Sequence, residues 1–462
     1  MGLPTWAPLG YVKNRSAILS AGEVELRRVA LDIAEAAIAH ANPGLALRRH
    51  VSLEGDCLRV GDMSLEIGAD RRIFVIGAGK ATYPVARALE DILGPRIHRG
   101  LIVCKSGQTG HLDRIDMGFA SHPIPDEASL EGAVRTVEML KEVRAGDIVL
   151  ACFTGGSSAL FVSPVPGISL ADKGVTNQIL LTCGANIIEI NAVRKHLSTV
   201  KGGRLIRGLP AGVHLINLTV SDVIGDPLDY ITDPTVPDTS TFADARATLD
   251  KYGLWPTLPV SVASYLRNPP EADETVRTEE LAHLHRTDVI LVRTGAACEG
   301  AVQAARRLGL TPMLLSTCFE GESSTLARNL IAIAKQVRLD GNPISAPCVL
   351  VGGGETTVVV NGSAGTGGPN QEFAVGAALE LADIPGVVAL GLDTDGTDGP
   401  TEYAGAVVDG TTVAHALSMG VDLRLALREH DVTPALCRTG NALMTGATGT
   451  NVNDLKLVLV TP

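Results

Sequence analysis

The order of apolar and polar residues along the chain predicts alternating helices and strands. From Gly22 to Ala41, Val24, Leu26, Val29, Ile33, Ala37 and Ile38 recur at helical spacing and gather toward one side, so an amphipathic helix is expected. A short apolar strand at Arg72–Ile76 runs straight into Gly77-Ala78-Gly79-Lys80 and a helix reaching Leu93. Strands follow at Leu101–Cys104, Asp147–Phe153 and Val213–Val220, with helices at Glu127–Val143, Leu170–Cys183 and Asn186–Val200. The rhythm weakens at Pro234–Pro237 and Asn268–Glu274, then restarts. Strands are expected at Asp288–Arg293, Pro312–Leu315, Cys348–Val351, Thr356–Val360, Val387–Leu392 and Asp454–Val460. Helices are expected at Ala297–Leu308, at Ser323–Val337 and from Gln371.

Alternation of this kind builds mostly parallel or mixed sheets covered by helices. The expected fold is two-domain α/β. A Rossmann-like N-terminal domain spans 1–265, a connection spans 266–285 and a C-terminal α/β domain spans 286–462. The active site is expected in a cleft between them, lined by Gly-rich turns at strand ends.

Composition agrees with two domains, because 462 residues exceed the length at which one core stops growing. A formal net charge of −12 argues against nucleic acid or an anionic membrane as partner, though not against a nucleotide in a locally basic cleft. The eight cysteines form no CxxC and no zinc-finger spacing, so they read as buried free thiols in a reducing compartment. The first residues, MGLPTWAPLGYVKNRSAIL, lack a signal peptide's apolar run, and no stretch approaches a membrane span. The cytoplasm is the expected location, and a homodimer is left open.

Six groups of residues could carry chemistry. Gly79 and Lys80, at a strand-to-helix turn, could hold an anion with backbone N–H groups and a cation. This is neither a P-loop nor a full dinucleotide fingerprint, since Thr82 replaces the third glycine and the next strand ends at Cys104-Lys105 without an acidic residue. Gly155, Gly156, Ser157 and Ser158 make a second such turn, or simply an N-cap. Asn191, Arg194, Lys195, Ser198 and Lys201 fall on one helical face, either a solvated basic stripe or an anion site. Asp222 and Asp226 follow a strand, where carboxylates can orient or deprotonate a hydroxyl, or merely cap a turn. Asp393, Asp395 and Asp398 crowd one loop that fails as an EF-hand and reads better as a Mg²⁺ site beside phosphates. In the same half, Gly353, Gly354, Glu355, Gly367, Gly368 and Asn370 could cradle a nucleotide phosphate or serve as plain turns.

These residues stand in longer runs with a family resemblance. NAVRKHLSTVKGGRL (Asn191–Leu205), HPIPDEAS (His122–Ser129), SDVIGD (Ser221–Asp226) and PTVPD (Pro234–Asp238) resemble the glycerate 2-kinase family. GGGETTV (Gly352–Val358), GTGGPNQEFA (Gly365–Ala374), DTDGTDGPTEYAGA (Asp393–Ala406) and TGATGTNVNDL (Thr445–Leu455) resemble its C-terminal domain, MOFRL. The resemblance covers nearly the whole chain in order. It implies ATP-dependent, Mg²⁺-assisted phosphorylation of D-glycerate at its 2-hydroxyl, with Lys80 in the active site. Lys80, Arg194, Lys195 and Lys201 would then meet anionic groups, and Asp222 or Asp226 the hydroxyl. Some members carry the name hydroxypyruvate reductase, so an NAD(P)H-dependent reductase is the alternative, as is a kinase for another sugar acid. Two departures stand out. Pro369 replaces the arginine of GGRNQE, and Asp233, after Thr232, replaces the glycine of SGPTVPD.

Overall fold

The computed structural model describes residues 9–68, 70–231, 233–360, 362 and 365–462; Thr232 and the first eight residues of the N-terminal stretch lie outside them. The chain forms two compact units, one of Pro43–Leu291, the other of the residues up to Asn42 together with Val292–Pro462.

That division differs from the expected 1–265, 266–285 and 286–462. Helices α1 (Arg15–Ile18) and α2 (Val24–His40) open the chain but belong to the second unit. Nearly all of α2 from Leu26 to Ile38 is buried, and only the partly exposed Val24 departs from the expected apolar side. Its buried charges are paired: Arg27 Nε donates to Asp409 Oδ2 at 2.6 Å, and Asp32 Oδ2 accepts from Arg28 at 3.2 Å. Residues 266–285 are not a connection either. Val276 is fully buried and pairs through its backbone with Gly202 and Asp238, so the segment is part of the first unit.

The first unit starts with α3 (Pro43–His50) and a small antiparallel sheet of β1 (Val51–Glu54), β2 (Cys57–Val60) and β3 (Met63–Glu66). Next come β4 (Ile73–Ala78), α4 (Thr82–Leu93), β5 (Ile97–Lys105), β6 (Ile115–Ala120), α5 (Glu127–Leu140), β7 (Ile148–Phe153), α6 (Ser157–Leu160), α7 (Leu170–Thr182) and α8 (Ile187–His196). β8 (His214–Val220), α9 (Leu228–Ile231), α10 (Phe242–Lys251), α11 (Val260–Arg267) and β9 (His285–Val292) complete it. The main sheet has the order β6-β5-β4-β7-β8-β9, and β6 through β8 are parallel. Every residue of β4 and β7 is buried, as expected of central parallel strands covered on both faces. Chain order reverses between β4 and β7, the doubly wound switch point at whose carboxyl ends ligands bind.

The second unit continues with α12 (Ala296–Arg307), β10 (Thr311–Phe319), α13 (Ser323–Asp340), β11 (Cys348–Gly354), α14 (Pro369–Leu381), β12 (Val387–Asp393) and β13 (Gly405–Asp409). After α15 (Thr412–Ser418), α16 (Leu423–Arg428), α17 (Val432–Arg438) and β14 (Ala442–Leu443), the last strand β15 (Asp454–Val460) enters the middle of a mixed sheet ordered β10-β11-β15-β12-β13-β14. The expected strand at Thr356–Val360 is absent; only Thr357 makes an isolated bridge, to Glu322, and Val359 and Val360 are exposed. All eight cysteines are free, but Cys57 and Cys183 are half-buried and Cys318 and Cys437 exposed rather than buried. Burial pushes the Cys104 thiol up to about 12. No helix among the described residues is long and apolar enough to cross a membrane.

Candidate active site

In the first unit, the predicted anion turns meet at the switch point. Gly79 follows β4 with φ +140°, and a Cβ there would collide with Thr154 Oγ1 and its carbonyl. Only glycine lets these two turns close to this distance. Thr154 fastens them: its Oγ1 accepts the Ala81 N–H at 3.2 Å, while Lys80 N donates to the Gly155 carbonyl at 2.9 Å. Gly156, at φ +85°, caps the single turn of α6; Ser157 is buried and Ser158 half-buried. Any Cβ on Gly156 would come within 3.1 Å of Lys80 Cγ and 3.3 Å of His122 Cδ2 and Nε2. Lys80, Gly156 and His122 therefore share one small space at the carboxyl end of the sheet. The Asp222 and Asp226 turn begins beside it, because Thr154 pairs with Val220 at the end of β8; Asp226 itself has φ +53°.

His122 was not among the sequence candidates. Its strand, β6, reads IDMGFA with a mixed burial pattern, and without that strand His122 had no position. The signal that could have found it is the HPIPDEAS run, a histidine two residues past the strand.

The basic stripe folds differently from expectation. α8 ends at His196, so Ser198 and Lys201 lie beyond it, and the supposed apolar side leaves Ile187 half-exposed. Lys195 and Lys201 are instead buried and paired. Lys195 Nζ lies 2.9 Å from Asp238, and Lys201 Nζ lies 2.6 Å from Asp233 Oδ2. Burial lowers the Lys201 pKa, with the Asp233 charge opposing it. Burial raises the Asp238 carboxyl, but the Lys195 charge and the Ser240 hydroxyl hold it below the usual range. Lys173, fully buried, reaches the Arg194 and Leu197 carbonyls at the end of α8, and burial takes its pKa far down. Asn191 and Arg194 are half-buried on α8, and burial also lowers the Arg194 pKa, with Asp233 opposing. The cluster is a built electrostatic site, not a solvated face.

In the second unit the glycine and acidic motifs take structural positions. Gly353 and Gly354 lie inside β11, where a Cβ would strike Cys298 Sγ and the Phe319 backbone respectively, and Glu355 is exposed beyond the strand. Gly367 packs against Val432, and Gly368 caps α14 against Asp398. Pro369 takes the first helical position, where a missing N–H costs nothing. Asn370 donates to Asp398 and Asp454 and accepts from the buried Lys456.

Each of the three carboxylates accepts hydrogen bonds from the protein itself. Asp393 accepts the Asp395 N–H at 2.9 Å, and Asp395 accepts the Thr397 N–H and hydroxyl. Asp398 is buried and accepts N–H groups from both Asn370 and Gln371, backbone and side chain alike. Burial raises its pKa against those bonds. Among the described residues no three metal-capable side chains form a cluster. The loop therefore does not fit a protein-built Mg²⁺ centre.

The doubly wound sheet carries its lysine turn at the switch point, where α/β folds of this architecture bind their ligands. Residues 29–267 match a family described as a domain of unknown function, DUF4147, and residues 348–454 match the MOFRL family. The chain is 40% identical over 442 residues, 95% of its own length and 98% of the other's, to a glycerate 2-kinase of Pyrococcus horikoshii. A relative from Agrobacterium vitis with the provisional name hydroxypyruvate reductase is 36% identical, covering 97% of this chain and 98% of that one. The crystal structure of a glycerate kinase from Thermotoga maritima superposes with a TM-score of 0.80 at 34% identity, covering 94% of this chain and 99% of that chain. The chain belongs to the glycerate kinase family, phosphotransferases with an alcohol group as acceptor.

Proposed function

We propose that this protein transfers the γ-phosphoryl group of ATP to the 2-hydroxyl of D-glycerate. The observation that carries the reading is full-length kinship, through both units, with a glycerate 2-kinase. The lysine turn at the sheet's switch point supports it, because phosphoryl transfer depends chiefly on positioning and charge neutralisation.

In this reading Lys80 meets the moving phosphoryl group, beside the Gly155–Ser158 turn. Arg194 binds the acid's carboxylate, with Asn191 beside it on α8 and Lys195 and Lys201 held behind by their carboxylate partners. Asp222 and Asp226 orient the acceptor hydroxyl. The exposed stretch at Glu355 and at Gly365 and Thr366 is the candidate nucleotide contact of the second unit, with half-buried Gly367 beside it. Mg²⁺ would arrive with the nucleotide and neutralise its phosphates, as it does where protein supplies few ligands. A hydroxypyruvate reductase is the second reading, favoured by the name of the Agrobacterium relative, but β5 ends at Lys105 without a carboxylate for a ribose.

The test is phosphate transfer. Purified protein is given Mg·ATP and a panel of small hydroxy acids, with ADP followed by a coupled assay and products identified by NMR. Formation of 2-phosphoglycerate supports the reading. Turnover of another acid keeps the kinase and changes its acceptor, whereas hydroxypyruvate-dependent NAD(P)H oxidation without ADP formation would sink it.

A further inference from the structure

We infer that His122 is a catalytic residue of this site, the base that takes the proton from the acceptor hydroxyl. The inference rests on the kinase reading above. His122 lies two residues beyond β6, at the carboxyl end of the sheet that also presents Lys80 and the Gly155–Ser158 turn. Its Nε2 and the Lys80 Cγ both flank the point where a Gly156 Cβ would be, at 3.3 and 3.1 Å. The two side chains thus stand no farther apart than the sum of those distances. Gly156 is the reason they can: at φ +85° and without a Cβ it leaves the space between them open.

A half-buried imidazole on the rim of the lysine turn is placed to take a proton from a hydroxyl bound there, the role in which histidine serves most often. The carboxylates at Asp222 and Asp226 then orient the hydroxyl without having to carry its proton. In the step, the acceptor oxygen forms a bond to the γ-phosphorus and the bond from that phosphorus to the ADP oxygen breaks. The hydroxyl proton passes to His122 Nε2 and then to water, and ADP leaves with the electron pair of the broken bond. No oxidant or further reactant is required.

The experiment compares the full-length wild type with His122→Asn and His122→Gln. General-base histidines contribute on the order of 10²–10⁴-fold, so kcat with D-glycerate should fall about 100-fold or more while KM changes by less than about threefold. Imidazole added to His122→Ala should restore part of the lost rate, which a purely structural role would not allow. Independently of turnover, D-glycerate should protect His122 of the wild type from carbethoxylation, read by mass spectrometry. Wild-type turnover with kcat retained in a folded His122 variant would overturn the inference and leave the kinase standing. Carbethoxylation indifferent to D-glycerate would overturn it even if neither variant folds. Failure of the wild type itself to phosphorylate any hydroxy acid would overturn both.

Discussion

Lys201 and Asp233 form a buried ion pair 2.6 Å long, and the other Asp233 oxygen accepts the Gly202 N–H. The carboxylate thus fixes both the cation and the backbone of the glycine turn that follows it. Asp233 stands where the family resemblance leads one to expect glycine, so this chain supplies its own counter-charge to a lysine that would otherwise face an incoming anion.

Replacing that counter-charge should alter acceptor binding. Asp233→Gly leaves a buried ammonium uncompensated, at a cost of about 3–5 kcal/mol in stability. The melting temperature should fall, and the KM for D-glycerate should fall at least about threefold as Lys201 becomes available to the substrate. An unchanged KM in the folded variant would place Lys201 outside the acceptor site.

Lys80 is expected to matter for rate rather than for fold. Its backbone holds the two turns together and would survive Lys80→Ala, so circular dichroism and melting should change little. Turnover should drop by roughly tenfold or more, as when a charge-stabilising group is removed. Near-normal turnover would remove Lys80 from the mechanism.

Asp398 should show the opposite behaviour. Asp398→Ala strips the acceptor from backbone and side-chain N–H groups of Asn370 and Gln371, and leaving buried donors unmet costs about 1–3 kcal/mol each. Marked loss of thermal stability is expected, with the Mg²⁺ requirement of the surviving activity unchanged within about twofold. A large rise in that requirement without loss of stability would restore the loop as a metal site.

Acid should loosen the second unit through Asp409. Burial raises this carboxyl, but hydrogen bonding and charge from Arg27 win, and its pKa is depressed in the folded state. The unfolded chain therefore binds the proton more readily, and stability rises with pH in that range. The stabilisation is complete above the unfolded value of roughly 3.9 and is lost as pH falls through the folded one. Urea midpoints should drop steeply below about pH 4. Asp409→Asn should flatten that slope, and Arg27→Met combined with Asp409→Leu should cost less than the two single changes added together. Additive losses would mean the pair is not coupled.

Much of this was legible in the sequence, for identifiable reasons. β4, β7 and β8 are short apolar runs ending in glycine or polar turns, so both the strands and the turns at their ends could be placed. Strand β15 was read to its true limits because all seven residues are buried. What stayed hidden depended on distant partners. The sequence leaves Lys195 and Lys201 open as either an anion site or a solvated stripe, because Asp238 and Asp233, their partners, lie more than 30 residues away. Asp398 read as a metal ligand because spacing within a loop does not reveal that α14 donates to it. The membership of α2 was hidden for the same reason: helical periodicity tells that a face is buried, not against what.

The placement of α2 also sets an order of events during synthesis. Arg27 emerges early from the ribosome, yet Asp409 follows 382 residues later. At about 5–20 residues per second, that helix waits on the order of 20–80 seconds for the sheet that will bury it. Through that interval the first unit can close on its own residues while the leading helix, buried on nearly every side in the finished fold, stays without its cover. Helix α2 and strand β15, neighbours in the folded unit, are thus made far apart in time.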